Sequence, residues 1–285
     1  MNPEDSSEPY ILNVNEIYKS FGIFNKHQVI KGISLKISKG KCVVLMGDNG
    51  AGKTTLLKII CGLLNQDSGH VHLNGKISYV PEVSSIYPYL SARESIDLFS
   101  NFGEVMYDTN SLLDMLKLPK DSKNYSKDYS KGTKRKTSLG MVMSTQSDLF
   151  ILDEPFEGLD PKVSGDIVEI ILSLKKKSKS FLIASHDLLY SDIIADEIIK
   201  IKEGTLDNRS LKSDKNSIII RFQSSEETVA TFLREIDADF DISLYPEVEV
   251  HWNGERSAII KKMVENGIEF DEIRDVHLRD RLGRL

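Results

Sequence analysis

Gly47-Asp48-Asn49-Gly50-Ala51-Gly52-Lys53-Thr54 fits the spacing G-x-x-x-x-G-K-[S/T]. Ahead of it, Lys41-Cys42-Val43-Val44-Leu45-Met46 is a short apolar run that reads as a buried strand. Behind it, Thr55-Leu56-Leu57-Lys58-Ile59-Ile60 reads as a helix. Strand, glycine-rich turn and helix together predict a phosphate cradle. Glycines let backbone N–H groups turn inward and approach phosphates with no Cβ in the way. The expected nucleotide-binding residues along this loop are Gly47, Asn49, Gly50, Ala51, Gly52, Lys53, Thr54 and Thr55. Lys53 would reach the β- and γ-phosphates, and the Thr54 hydroxyl would ligate Mg²⁺.

A second anchor is Leu149-Phe150-Ile151-Leu152-Asp153-Glu154-Pro155. Four apolar residues followed by two acids predict a buried strand with charge at its carboxyl end, where ligands of open α/β sheets sit. Asp153 is the expected Mg²⁺ ligand, directly or through water. Glu154, one residue on, is placed to polarise an attacking water as general base. The two anchors together imply a P-loop nucleotide hydrolase.

Composition bounds the setting. A length of 285 residues accommodates one large domain or two moderate ones. The net charge of −6 argues against a general nucleic-acid-binding surface, though not against a local basic patch. Cys42 and Cys61 are the two cysteines, too few for a disulfide framework, and read as buried and reduced. No apolar run approaches the ~20 residues that span a bilayer. The start, Met1-Asn2-Pro3-Glu4-Asp5, is acidic and unlike a secretory signal. A cytoplasmic protein is expected, reaching a membrane only through a partner.

Along the chain, residues 1–9 read as a tail. Tyr10–Val14, Ile33–Ile37 and His70–Leu73 read as strands, and Asn74-Gly75 after the last one predicts a hairpin. From about 85 to 147 the pattern turns helical and polar. Ser91-Ala92-Arg93-Glu94 forms a capping box opening a helix with Ile96, Leu98, Phe99 and Phe102, and a second short helix carries Leu112 to Leu118. A further helix is expected to begin near Thr133. Residues 148–153 and 180–185 read as parallel strands buried on both faces, with a helix over 163–176 between them. The stretch 211–216 reads as a linker. Residues 217–285 read as a small α+β domain, with helices at Glu226–Ile236 and Gly254–Asn266 among short strands.

Three further motifs narrow the family: Tyr129-Ser130-Lys131-Gly132-Thr133, then Gly158-Leu159-Asp160-Pro161, then Ser185-His186-Asp187. In this order and spacing, residues from about 10 to 210 resemble the ATP-binding cassette family. The resemblance implies an α/β P-loop NTPase fold, with a RecA-like core sheet, an antiparallel β subdomain and a helical subdomain. It implies ATP and Mg²⁺ as cofactors. It aligns Phe21 with the aromatic residue that stacks on adenine, Tyr18 being the second candidate. Glu82 falls where most members carry glutamine, a metal-site residue coupling to the helical subdomain. Ser130 and Gly132 match the signature loop that contacts a nucleotide bound to the opposite subunit. Asp160 lies in the loop coupling the two sites, and His186 contacts the γ-phosphate and the attacking water. Lys53, Glu154 and His186 are thus the catalytic set, and Thr54, Asp153 and Glu82 the metal set.

The signature loop departs from the family pattern at Lys131, where glycine is usual. This lysine either adds attraction for phosphate or hinders closure. The cluster Lys131, Lys134, Arg135 and Lys136 is either functional or a solvated helix face.

A single chain lacks the opposite subunit's signature loop. The resemblance therefore implies an ATP-dependent homodimer, or a heterodimer with a related ATPase, with two-fold symmetry. The chain looks like the ATPase subunit of an exporter-type transporter of the drug, lantibiotic or polysaccharide kind. Its permease would be a separate membrane chain, and this subunit would sit peripherally on the inner face of the cell membrane. Val83, Ile86, Tyr87, Tyr89 and Leu90 would line the groove for the permease or else be plain core. The C-terminal tail, ending Leu278-Arg279-Asp280-Arg281-Leu282, loosely resembles the small C-terminal domain of those exporters. The rival reading is a soluble mechanoenzyme acting on ribosomes, DNA or iron–sulfur assembly. A catalytically silent cassette is a third, opposed by intact Lys53, Asp153, Glu154 and His186. No direct nucleic-acid partner is expected.

Overall fold

The structure, a computed structural model, describes residues 9–22, 26–83, 86–120, 124–207, 217–252 and 256–275. The expected tail up to residue 8, the linker 211–216 and the run Leu278–Leu282 lie outside those residues. The chain forms two compact units that divide near residue 211.

The first unit begins with β1 (Tyr10–Phe21) and β2 (His27–Ser38), then β3 (Cys42–Met46), α1 (Lys53–Ile60), β4 (Ser68–Leu73) and β5 (Ile77–Val80). A polar, helical stretch follows with α2 (Ala92–Ser100), α3 (Thr109–Met115) and α4 (Lys131–Ser144). The chain then returns to alternation in β6 (Leu149–Asp153), α5 (Pro161–Lys176), β7 (Ser180–Ser185), α6 (Leu188–Ile194), β8 (Glu197–Lys202) and β9 (Thr205–Asp207).

β2, β1 and β4 make a three-stranded antiparallel sheet. In β2 burial alternates, with Ile33, Leu35 and Ile37 inside and polar residues between them outside, as a half-solvated antiparallel strand requires. β5, β6, β7, β3, β8 and β9 form the central six-stranded sheet, parallel except for β9. β3, β6 and β7 are buried at every position, which matches their continuous apolar runs. Phe150 stacks on Phe181 across β6 and β7, with ring centroids 5.4 Å apart. Burial pushes the Cys42 thiol in β3 up to about 12, so it remains protonated and inert.

The sheet order decides where the site lies. β3 sits between β7 and β8, with Met46 opposite Ser185, and β6 flanks β7, with Asp153 opposite Ala184. Gly47, Glu154 and His186 therefore emerge side by side from three neighbouring carboxyl ends.

Three expectations need correction. Asn74-Gly75 is not a hairpin turn, because β4 pairs with β1 while β5 pairs with β6 in the other sheet. The Lys76 amide donates to Asp148 Oδ2, and Asn74 N–H donates to the Ile11 carbonyl, so the pair carries the chain between sheets. α4 starts at Lys131 rather than near Thr133, since the Ser130 hydroxyl accepts from Thr133 N–H and caps it. The capping box of α2 is present, but the helix ends at Ser100, so Phe102, expected within it, lies beyond it. Ile96, with Ala92 and Ser95, is what that helix buries.

The second unit runs β10 (Ser217–Phe222), α7 (Glu226–Glu235), β11 (Asp239–Asp241), β12 (Glu247–His251), α8 (Arg256–Glu265) and β13 (Phe270–Asp275). Its sheet order is β11-β12-β10-β13, all antiparallel, which is the split β-α-β-β-α-β arrangement. Ile218, Ile220 and Phe222 of β10 alternate onto one face and meet Val229, Phe232 and Leu233 of α7 and Ile259 and Met263 of α8.

Candidate active site

The loop after β3 has its shape because bulk is excluded from it. A Cβ on Gly47 would lie 2.3 Å from the Ile201 carbonyl oxygen of β8, so the chain leaves the sheet through a glycine. Gly52 has φ +106°, and a Cβ there would lie 2.8 Å from Ile30 Cδ1. α1 opens directly at Lys53, so its unpaired N–H groups and positive dipole end face the loop.

The Lys53 side chain is buried and folds back over this loop. Its ammonium donates to the Gly47 carbonyl at 2.5 Å and the Asp48 carbonyl at 3.3 Å. It also pairs with Glu154 Oε1 at 3.0 Å. The Thr54 hydroxyl donates to Asp153 Oδ1 at 3.1 Å, and the Tyr79 hydroxyl donates to Oδ2 at 3.2 Å. Burial raises the Asp153 carboxyl above its ordinary range, against the lowering effect of those two hydroxyls. The Glu154 and Glu82 charges add to the rise.

Glu154 adopts a left-handed backbone, φ +46°, uncommon for a residue with a side chain. Its N–H donates to the Ala184 carbonyl at 2.9 Å. Its Oε2 lies 3.0 Å from His186 Nδ1, while His186 Nε2 lies 3.0 Å from Glu157 Oε2. Both imidazole nitrogens thus face carboxylates.

These groups surround an open cleft of about 390 Å³. The loop residues Asn49, Gly50, Gly52, Lys53, Thr54 and Thr55 line it together with Glu82, Glu154 and His186. Gly47 and Ala51 shape the loop from behind, and Asp153 lies beneath Thr54. The cleft pairs a cation and a helix start with four acids, Asp48, Glu82, Glu154 and Glu157, and a histidine. Such a set can cradle phosphates and polarise a water.

Other expected residues are elsewhere. Phe21 is half-exposed under the Lys19 ammonium and does not line the cleft, and Tyr18 donates to Glu16. Val29 of β2 is the apolar residue that does line it. Ser130 and Gly132 form the start of α4, outside the cleft of their own chain. Asp160 caps α5 by accepting from Lys162 N–H and Val163 N–H.

Sequence reasoning missed Glu157, Asp48 and the role of Arg135. Glu157 stands three residues after Glu154, a spacing that signals proximity only once the turn is known. The four basic residues do not share a fate as a solvated face. Arg135 is buried and donates to three backbone carbonyls, and buried Lys136 pairs with Asp166 at 2.5 Å. The Lys131 ammonium lies over Gly158, 2.5 Å from where a Cβ would be.

Comparison with known proteins gives the class. The family described as ABC transporter matches residues 30–157. Over 221 residues the chain is 29% identical to the linearmycin resistance ATP-binding protein LnrL of Bacillus subtilis strain 168, covering 72% of this chain and 70% of that one. Over 206 residues it is 32% identical to the lantibiotic transport ATP-binding protein SrtF of Streptococcus pyogenes, covering 69% of this chain and 89% of that one. The dimeric post-hydrolysis structure of the ATP-binding cassette MJ0796, bound to ADP and Pi, superposes with a TM-score of 0.65 at 21% identity. That match covers 70% of this chain and 98% of the other. The P-loop cassette fold expected from the sequence is therefore the fold observed. The chain belongs to the ABC transporter ATP-binding proteins. It is the ATP-binding subunit of such a transporter and an ATP hydrolase.

Proposed function

We propose that two such ATPase subunits close on ATP at paired sites and drive a separate membrane permease, in the direction of export. The observation that carries this reading is the convergence of Lys53, Thr54, Glu154 and His186 on one cleft over Asp153. Thr54 Oγ1 and Asp153 Oδ1 are two hard oxygen donors close together, a set that suits Mg²⁺, which neutralises phosphate charge when bound. The loop amides and the Lys53 ammonium hold the β- and γ-phosphates, which requires Lys53 to leave the Gly47 carbonyl. Glu154 takes the proton from the attacking water, and His186 orients that water and the terminal phosphate. Glu82 senses the metal side of the cleft. Phe21 closes over the base.

Ser130 and Gly132, at the capped start of α4, contact the nucleotide of the opposite subunit, and Asp160 couples the two sites. The second subunit is a like copy or a related ATPase. ATP favours the closed pair, and loss of the terminal phosphate releases it, a ligand-driven population shift.

The permease is taken to be a separate chain; no helix among the described residues is long and apolar enough to cross a membrane. Val83 and Tyr89 are 78% and 70% exposed, so they serve as a docking face rather than as core. The subunit works in the cytoplasm against the inner membrane face, without nucleic acid. Kinship with a linearmycin resistance protein and a lantibiotic transport protein supports the export direction.

Purification of the tagged chain from detergent-solubilised membranes tests this. A stoichiometric polytopic membrane protein is the expected companion. Recovery only from the soluble fraction, with ribosomal or DNA-bound proteins, would overturn the transporter assignment.

A further inference from the structure

Arg135 is 1% exposed, among the largest fully buried side chains. Among the described residues its hydrogen bonds go to three backbone carbonyls and none goes to a carboxylate. Nη1 donates to Pro81 at 2.7 Å, while Nη2 donates to Glu82 at 2.5 Å and to Glu154 at 3.3 Å. Among the described residues its Nε has no partner. A guanidinium stays charged in proteins, so this is a buried cation matched by carbonyl dipoles and the wider field of Asp153, Glu82 and Glu154. Such a burial is costly, and a planar fork is the group able to reach carbonyls on two separate segments at once.

The three carbonyls come from two chain segments, 81–82 and 154, that meet at one site. Glu82 and Glu154 both line the cleft, and Glu154 holds a left-handed backbone. A side-chain-bearing residue keeps that conformation only when its surroundings fix it. Its N–H is fixed by Ala184 and its carbonyl by Arg135. Arg135 itself lies on α4, one turn beyond the Ser130 cap.

We propose that Arg135 is a positioning residue that fixes the Glu154 peptide and ties it to Glu82, holding the catalytic carboxylate in register with the start of α4. The inference rests on the assignment of Glu154 as general base and goes beyond it.

Steady-state ATP hydrolysis and ATP-analogue binding are measured for the parent, R135Q, R135K, E154Q and the R135Q/E154Q double variant. R135Q lowers kcat by about tenfold or more while KM stays within about twofold, as for loss of a group acting on the transition state. R135K, which keeps the charge but not the fork, recovers part of that rate. In the E154Q background R135Q removes no more than a further factor of about two, because both changes act through one carboxylate. A folded R135Q with parental kcat overturns the proposal, as does a loss that multiplies undiminished in the E154Q background. If R135Q does not fold, R135K decides: about threefold or more off kcat at unchanged KM supports the proposal, and parental kcat overturns it. Parental hydrolysis by E154Q alone would instead sink the Glu154 assignment, so the two failures are distinct.

Discussion

Glu154 holds two partners at once, the Lys53 ammonium and the His186 ring, each 3.0 Å away. In the proposed mechanism an incoming triphosphate would compete for both, and binding would free the carboxylate for a water. The geometry of the loop that presents Lys53 depends on two glycines for different reasons. Gly47 is a close approach to Ile201, whereas Gly50, with φ +83°, has open space around it. Gly47→Ala is therefore expected to cost about 1–3 kcal/mol by overpacking and to weaken ATP-analogue binding. Gly50→Ala meets only backbone strain, about 1–2 kcal/mol. Thermal unfolding and fluorescent-nucleotide titration of both variants check this: Gly47→Ala should weaken nucleotide binding more than Gly50→Ala, and equal weakening would contradict it. At this scale the loop residues and the two acids were legible because each motif carries its chemistry in a short run. Arg135 and Lys136 were not, because burial of a cation is decided by carbonyls and acids from distant segments.

Among the elements, α4 carries much of the first unit's order. Lys136 of α4 and Lys117, just past α3, both reach Asp166 of α5, at 2.5 and 2.6 Å. Burial alone would raise the Asp166 carboxyl, but the bonds from Lys117 and Lys136 outweigh it and hold the pKa below the ordinary value. A carboxyl lowered by folding stabilises the protein above its unfolded pKa, about 3.9, and that share is lost as pH falls through the folded value. Asp166→Asn should thus be less stable at neutral pH and lose stability less steeply than the parent below about pH 4. Urea unfolding at several pH values measures the two slopes, and parallel slopes would refute the tie. Strands β6 and β7 were legible from unbroken apolar runs. The Asn74-Gly75 crossing was not, because turn chemistry does not say which sheet the next strand joins. Exposed Leu98 shows the same limit for α2, where helical spacing of apolar residues marks a stripe but not what covers it.

For the whole molecule, sheet order makes the site: adjacency of β3, β6 and β7 sets the loop, the acids and His186 side by side. Alternation of strand and helix announced a parallel sheet, but the sequence order of strands does not reveal their spatial order. The second unit's helices and strands were largely legible, since its β-α-β-β-α-β pattern alternates cleanly, with Ile218, Ile220 and Phe222 at period two. Ser130 and Gly132 lie outside the cleft of their own chain, so the account requires a second subunit to complete the site. Glu154→Gln separates binding from turnover: hydrolysis should fall about 100-fold or more, the scale of general-base loss, while ATP still binds. Light scattering of that variant, with and without Mg²⁺-ATP, reads whether ATP pairs two subunits. The chain mass is 32.1 kDa, and the account predicts twice that mass with ATP and a monomer without it. A variant that binds ATP, does not hydrolyse it and stays monomeric at every protein concentration would contradict the account.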